Sequence, residues 1–205
     1  MTRKRDEIDR IENTKRDWCP LIAIGASAGG LAAITGFFNE VPRNCGVAFV
    51  VVTHLDPRQK SLLPGILSKK SNLVVVEATD GMIVKPNMII TSKPGHKLVL
   101  SGETIQSSPF TNQSSLNFPI DSFFKSVAAE RSAKSIGIIL SGSGSDGSTG
   151  ITAIKREFGI VLAQNPKTAE FESMPSNAIA TELVDYVVDP QEMWPLLEKY
   201  LGGPF

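Results

Sequence analysis

The sequence predicts an α/β fold: a three-layer, doubly wound and mostly parallel sheet with helices on both faces and an added β-hairpin. Apolar runs of strand length alternate with helical patterns along most of the 205 residues. These runs are apolar at consecutive positions, which is typical of strands buried on both faces of a parallel sheet. Two of them end in glycine-rich turns that open a helix. Strand, turn and helix therefore repeat as crossover units.

The first half of the chain follows this alternation. Strands are expected at residues 21–25, 47–52 and 73–77, and helices from about residue 31 to 41 and from about 60 to 70. Pro64 and Gly65 are expected to make the second helix irregular. Residues 88–91 and 97–100, joined by a turn-rich segment, predict the hairpin. Residues 101–117 are rich in Ser, Thr, Asn and Gln and are predicted to be a loop.

The second half of the chain continues the pattern with shorter connections. Helices are expected from Ile120, from about residue 148 to Phe158, from Pro175 and from Gln191. Strands are expected at residues 136–140, 159–163 and 184–188. Residues 141–150, which follow the first of these strands, form the second glycine-rich turn.

Composition excludes several functional classes. Lys plus Arg number 21, Asp plus Glu also number 21, and the pI is near 6.7, so no nucleic-acid partner is indicated. The longest apolar runs are strand-sized, which predicts neither a signal peptide nor membrane insertion. Cys19 and Cys45 lack metal-ligand spacing and are expected to be reduced, partly buried thiols of a cytoplasmic protein. No metal or cofactor is expected.

The domain organisation is simple. Residues 1–19 carry charges of both signs and are predicted to be an N-terminal arm or linker. Residues 20–205 are predicted to form one domain, which is long enough to bury a substantial core.

The turn after the first strand has three interpretations. Gly25 and Gly30 match the ends of the dinucleotide pattern G-x-G-x-x-G, but Ser27 replaces its middle glycine. Gly25-Ala26-Ser27-Ala28-Gly29 also fits G-x-S-x-G, which displays a nucleophilic serine on a strand-to-helix turn. The third interpretation is a small polar residue that only fits the turn.

Three predicted strands deliver polar side chains at their carboxyl ends: Ser27, His54 and Asp146. These ends meet at one edge of a parallel sheet, where sites form. A histidine can take the proton of a serine hydroxyl, and a carboxylate can hold the imidazole in position. The order Ser, His, Asp differs from the α/β-hydrolase order. His96 lies in the predicted hairpin loop and is the weaker candidate base.

Asp146 allows two further interpretations. Gly142-x-Gly144-x-x-Gly147 after a strand matches the dinucleotide pattern, although an aspartate there would face a bound pyrophosphate. Asp146 could instead cap the helix that follows Gly147. A loop that lets Asp146 reach His54 fits the glycines better.

Three segments of the sequence resemble the signature segments of the chemotaxis protein-glutamate methylesterase family, whose catalytic domain is that of CheB. They are residues 24–30 (IGASAGG), 52–57 (VTHLDP) and 140–147 (LSGSGSDG). Residues 163–165 and 174–175 resemble two further family segments, and the resemblance covers about residues 20–190. It implies a serine hydrolase, without metal or cofactor, acting on glutamate γ-methyl esters of chemoreceptors and also deamidating receptor glutamines.

The resemblance places the catalytic triad on Ser27, His54 and Asp146 and the oxyanion-binding backbone N–H groups on Ala28 and Ser143. The family often has threonine at position 28 and methionine at position 143, but a backbone donor survives a side-chain change. The implied partners are methylated cytoplasmic receptor helices. Alternative functions are a nucleotide- or phosphate-binding module that uses the two glycine loops and a catalytically silent receptor-docking module.

The resemblance also bears on regulation and domain context. Response-regulating members carry an N-terminal receiver domain, and some twenty residues before Leu21 cannot hold one. The chain looks more like the esterase module that opens methylesterase–methyltransferase fusion proteins. It is therefore expected to be an excised catalytic domain. Whether the full-length chain contains a methyltransferase domain is left open.

Overall fold

A computed structural model describes residues 19–54, 61–110 and 118–202. Its main element is a seven-stranded sheet in which every pair of neighbouring strands is parallel. The strands, in spatial order, are β10 (Tyr186–Val188), β9 (Ile160–Gln164), β8 (Ile136–Ile139), β1 (Leu21–Ala26), β2 (Ala48–Thr53), β5 (Met88–Thr91) and β3 (Val74–Glu77). This confirms the predicted parallel α/β sheet.

Helices cover both faces of the sheet, as predicted. They are α1 (Gly30–Asn39), α2 (Leu63–Lys70), α3 (Pro119–Arg131), α4 (Ser148–Arg156), α5 (Ser173–Ile179) and α6 (Pro190–Tyr200). Short 3₁₀ segments lie at Ser132–Lys134 and Pro166–Thr168.

Two apolar cores lie on the two faces of the sheet. In β1, Leu21 and Ala23 belong to the core beneath α3, α4 and α5, whereas Ile22 and Ile24 belong to the core beneath α1, α2 and α6. Successive strand side chains point to opposite faces. A strand buried on both faces must therefore be apolar at every position, which is the pattern that identified these strands in the sequence.

The added antiparallel element is built from other strands than predicted. It is a three-stranded sheet of β4 (Met82–Ile83), β7 (Thr104–Pro109) and β6 (His96–Ser101). The predicted hairpin of residues 88–91 with 97–100 is wrong, because β5 pairs in parallel with β2 and β3. The hairpin is β6 with β7, so the loop predicted over 101–117 is wrong for residues 104–109.

Two physical reasons explain these errors. Ile89 and Ile90 are consecutive and fully buried, which indicates a strand covered on both faces. The hairpin prediction relied instead on the short distance along the chain between residues 88–91 and 97–100. In β7, Ile105 is the single buried apolar residue, and the strand depends on its backbone pairing to β6.

Some details of the other elements also differ from expectation. Pro64 stands in the first turn of α2, which begins at Leu63, and does not disturb the helix, because an N–H group in the first turn has no partner within the helix. The predicted charged arm, apart from residue 19, and residues 111–117 lie outside the described residues.

The two thiols are free, as expected. Cys45 is buried and Cys19 is half-buried. Burial raises the pKa of the Cys19 thiol to about 11 and also raises the pKa of Cys45. Within the described part of the chain, no helix combines the length and apolar character needed to cross a bilayer.

We expect Phe49→Ala to lower the free energy of unfolding by about 3–5 kcal/mol. Phe49 is fully buried, and its ring lies 5.1 Å from that of Phe38 and 6.1 Å from that of Trp194. Urea denaturation measures the change. Phe158→Ala is the matched control, because Phe158 is 84% exposed, and a shift of about 0.5 kcal/mol or less is expected there. Equal effects of the two variants would contradict this account of the core.

Candidate active site

Three adjacent strands bring the candidate residues to one edge of the sheet. Ser27 follows β1, His54 follows β2, and the loop that carries Asp146 follows β8. From β1 the chain proceeds to one side of the sheet and later crosses over to β8 on the other side. The site therefore lies where the winding direction of the sheet reverses, which is where open α/β sheets form crevices.

The imidazole of His54 lies between the other two side chains. Its Nδ1 is 3.2 Å from the Ser27 Oγ, and its Nε2 is 2.8 Å from the Asp146 Oδ2. A carboxylate can only accept a hydrogen bond, so the neutral ring carries its hydrogen on Nε2 and turns the Nδ1 lone pair toward the serine. The His54 side chain is 33% exposed and that of Asp146 is 2% exposed. The imidazole therefore meets solvent, whereas the carboxylate behind it is buried.

Asp146 is fixed by the start of helix α3. Its Oδ2 accepts the N–H of Ile120 and its Oδ1 accepts the N–H of Asp121, both at 2.9 Å. The negative carboxylate thereby faces the positive end of the helix dipole. The alternative in which Asp146 caps the helix after Gly147 is wrong, because Gly147 is itself the N-cap of α4 and Asp146 caps α3.

The turn at Ser27 is held by backbone hydrogen bonds that do not involve its side chain. The Ser27 N–H donates to the Ser141 carbonyl at 3.0 Å, and the Gly30 N–H donates to the Ser27 carbonyl at 2.9 Å. Among the described residues, the N–H groups of Ala28 and Ser143 have no hydrogen-bond acceptor. Two donors beside the serine are thus free to bind an oxygen atom.

The loop after β8 passes directly beside the serine. A Cβ atom added to Gly142 would lie 2.9 Å from the Ser27 Cβ and 2.6 Å from the Met174 sulphur, closer than real Cβ atoms come. Only glycine allows this approach. It brings Gly142, and with it the adjoining peptide group of Ser143, close to Ser27.

Ser141 and Gln164 hold the two turns together. The Ser141 N–H donates to the Gln164 Oε1 at 2.8 Å, and the Ser141 Oγ donates to the Ala28 carbonyl at 3.0 Å. The Phe171 N–H in turn donates to the Ser141 Oγ at 3.0 Å. Sequence reasoning assigned neither side chain a role. In the sequence, each stands as a polar residue at the end of a buried strand, and this position could have singled it out.

Asp121 was also missed. Its Oδ1 accepts the N–H of Gly147 at 2.9 Å and that of Gly150 at 2.7 Å, at the start of α4. A pyrophosphate bound by the second glycine loop would occupy this helix start. The buried Asp121 carboxylate already takes these donors and would repel it, so the geometry disfavours nucleotide binding there.

The remaining candidates lie apart from this group. His96 is the first residue of β6, not a loop residue as predicted, and its Nδ1 donates to the Pro94 carbonyl at 2.9 Å. Within residues 19–54, 61–110 and 118–202, no cluster of three or more His, Cys, Asp or Glu side chains could hold a metal ion. Residues 55–57 of the second signature segment lie outside the described residues.

Known sequences match this chain over most of its length. The family model for the CheB methylesterase matches residues 22–197. A relative from Leptospira interrogans, provisionally named a protein-glutamate methylesterase/protein-glutamine glutaminase, is 32% identical over 173 residues, which cover 84% of this chain and 90% of that protein. A protein of the same name from Moorella thermoacetica is 30% identical over 194 residues, which are 92% of this chain and 46% of that protein. The chain thus spans less than half of the Moorella relative.

A solved structure shares the fold. The crystal structure of the Thermotoga maritima CheB methylesterase catalytic domain superposes with a TM-score of 0.81 at 27% identity, and the match covers 88% of this chain and 98% of that one.

Proposed function

Because this chain belongs to the CheB methylesterase family, we propose that it hydrolyses glutamate γ-methyl esters and deamidates glutamine side chains on the cytoplasmic helices of chemoreceptors. The observation that carries the proposal is the imidazole of His54 between the Ser27 hydroxyl and the Asp146 carboxylate. Ser27 is the proposed nucleophile, His54 the general base and acid, and Asp146 the orienting acid. Residues 20–205 are the proposed catalytic domain.

The first half of the reaction forms an acyl-enzyme. The Ser27 Oγ attacks the ester carbonyl carbon while the His54 Nδ1 takes the hydroxyl proton. Asp146 stabilises the resulting imidazolium through Nε2–H. The tetrahedral intermediate then collapses, and the imidazolium gives its proton to the departing methanol.

Negative charge on the carbonyl oxygen is assigned to two backbone donors. The free N–H groups of Ala28 and Ser143 are the proposed oxyanion hole. The tight passage of Gly142 past Ser27 supports this assignment, since it holds the second donor beside the nucleophile. Donors that are already in place need no reorganisation as the charge develops.

The second half of the reaction reverses these roles with water. The His54 Nδ1 removes a proton from a water molecule, whose oxygen attacks the acyl carbon. The tetrahedral intermediate expels the Ser27 Oγ, which regains its proton from His54, and glutamate is released. With a glutamine substrate the same steps release ammonia instead of methanol.

The proposed partners follow from this substrate. A methylated receptor helix must present its esterified side chain at the sheet edge that carries Ser27, where His54 is open to solvent. A cytoplasmic location is part of the proposal, since the methylated receptor helices are cytoplasmic. The proposed function is also compatible with a methyltransferase domain in a longer chain.

The direct test measures methanol released from a methyl-esterified cytoplasmic receptor fragment, and ammonia released from the corresponding glutamine form. We expect methanol release to saturate with receptor concentration and to need no added metal or nucleotide. A protein that bound NAD or ATP tightly and released no methanol would instead support the nucleotide-binding alternative. Receptor binding without any turnover would support the silent docking module.

A further inference from the structure

Two buried aspartates behind His54 are linked by hydrogen bonds, one of them through the neighbouring residue Gly147. Asp146 accepts the N–H of Asp121 at 2.9 Å, and Asp121 accepts the N–H of Gly147, the residue after Asp146, also at 2.9 Å. Asp121 is 6% exposed and Asp146 is 2% exposed. The two residues therefore form a closed ring of hydrogen bonds, which we call the aspartate ring.

The aspartate ring joins the starts of two helices. Asp146 caps α3, in which Asp121 lies, and Asp121 caps α4, which begins directly after Gly147. The Asp146 carboxylate faces the positive dipole end of α3, and the Asp121 carboxylate faces that of α4. Neither helix start can shift without breaking a hydrogen bond of the ring.

The ring fixes the backbone that carries Asp146. The Gly147 N–H belongs to the same peptide group as the Asp146 carbonyl, so its bond to the Asp121 Oδ1 sets the plane of that peptide. Gly147 has φ +100°, a conformation that side-chain-bearing residues rarely adopt. A turn of this kind needs external hydrogen bonds to stay in place, and Asp121 supplies one.

We propose that Asp121 is a positioning residue for the reaction, which acts by holding Asp146 at the distance that orients His54. This rests on the proposed function of the triad. Asp121 itself touches neither Ser27 nor His54 through any hydrogen bond of the described structure. Its effect on the rate therefore passes through Asp146.

In this role the position of the Asp121 oxygen matters more than the charge of its carboxylate. Both α4 N–H groups donate to one oxygen of Asp121, the Oδ1. Asp121→Asn keeps an oxygen at that place, and Asp121 lines a cavity of about 460 Å³ beside which the new amide group can lie. Asp121→Glu keeps the charge but adds a methylene group, which is expected to move the carboxylate away from the place of Oδ1. Asp121→Ala removes the acceptor.

The kinetic test compares these three variants on a methylated receptor fragment. We expect D121A and D121E to lower kcat by about 10- to 100-fold, because a misplacement near 1 Å at a catalytic group has an effect of that size. KM is expected to change by about twofold or less, and D121N to lose about threefold in kcat. If D121E keeps the wild-type kcat while D121N loses most of it, the charge of Asp121 determines the rate and the position of its oxygen does not. That result overturns the positioning proposal.

A spectroscopic test works without substrate. The hydrogen-bonded Nε2–H of His54 should give a low-field proton NMR signal that is absent from His54→Ala. The signal should persist in D121N and move or disappear in folded D121E. An unchanged signal and rate in D121E overturn the proposal. A wild-type protein that shows the signal but releases no methanol would count against the proposed function and not against the positioning of His54.

A variant pair separates positioning from general destabilisation. In an Asp146→Ala background, D121E should cause no further loss of kcat, because the residue it positions is gone. A further loss of tenfold or more in that background would show that Asp121 acts by another route and would overturn the proposal.

Discussion

Replacing Ser27 by alanine is expected to lower kcat for methyl-ester hydrolysis by a factor of about 10⁴ or more. The Ser27 Oγ faces the His54 Nδ1 at 3.2 Å and is the proposed attacking atom, so its removal leaves no nucleophile on the enzyme. Residual hydrolysis would come from water that reacts beside the oxyanion donors. Methanol release from a methylated receptor fragment measures the loss.

The fold should tolerate this change. The Ser27 turn is held through its backbone N–H and carbonyl, which alanine retains. The melting temperature is therefore expected to stay close to that of the wild type. Ser68→Ala is the matched control, because Ser68 is exposed and its hydroxyl donates to the Pro64 carbonyl within α2. If S27A and S68A had similar rates, Ser27 would not be the nucleophile.

Replacing His54 by alanine is expected to lower kcat by a similar factor, since nucleophile and base act as a unit. The buried Asp146 carboxylate would still accept two backbone N–H groups of α3, so it would not become an unpaired buried charge. The loss should thus appear in kcat and not in stability. The double variant S27A/H54A should be no slower than either single variant.

His96→Ala is the matched control for this second change. The two histidines are the only ones in the chain, and His96 lies in the antiparallel sheet with its Nδ1 on a backbone carbonyl. Its replacement should leave the rate of methanol release unchanged. A large loss in H96A, or additive losses in S27A/H54A, would refute the assignment of the base.

The sequence predicted the parallel sheet and the meeting of the three strand ends because both depend on local patterns. Continuous apolar runs identify strands covered on both faces, and the glycine turns after β1 and β8 mark their carboxyl ends. Parallel connectivity then requires Ser27, His54 and Asp146 to share one edge. The contacts of His54 with the other two side chains could therefore be expected from the sequence alone.

Other features were beyond local patterns. The partner of β6 depends on pairing between backbones, and the polar sequence of β7 carries little strand signal of its own. Asp121 has the ordinary appearance of an acid in the first turn of a helix. Its bonds to Gly147 and Gly150 join segments more than twenty residues apart, and such long-range caps follow only from the packed arrangement of the two helices.

The order in which the site residues leave the ribosome has a consequence for the growing polypeptide. His54 is separated from Asp146 by 92 residues, and the strand that delivers the acid is the eighth of ten. A nascent chain that stops before β8 contains the hydroxyl and the imidazole but no carboxylate to pair with them. The proposed triad is therefore complete only after translation has supplied β8 and the loop that follows it, and a chain that ends earlier is expected to show no ester cleavage.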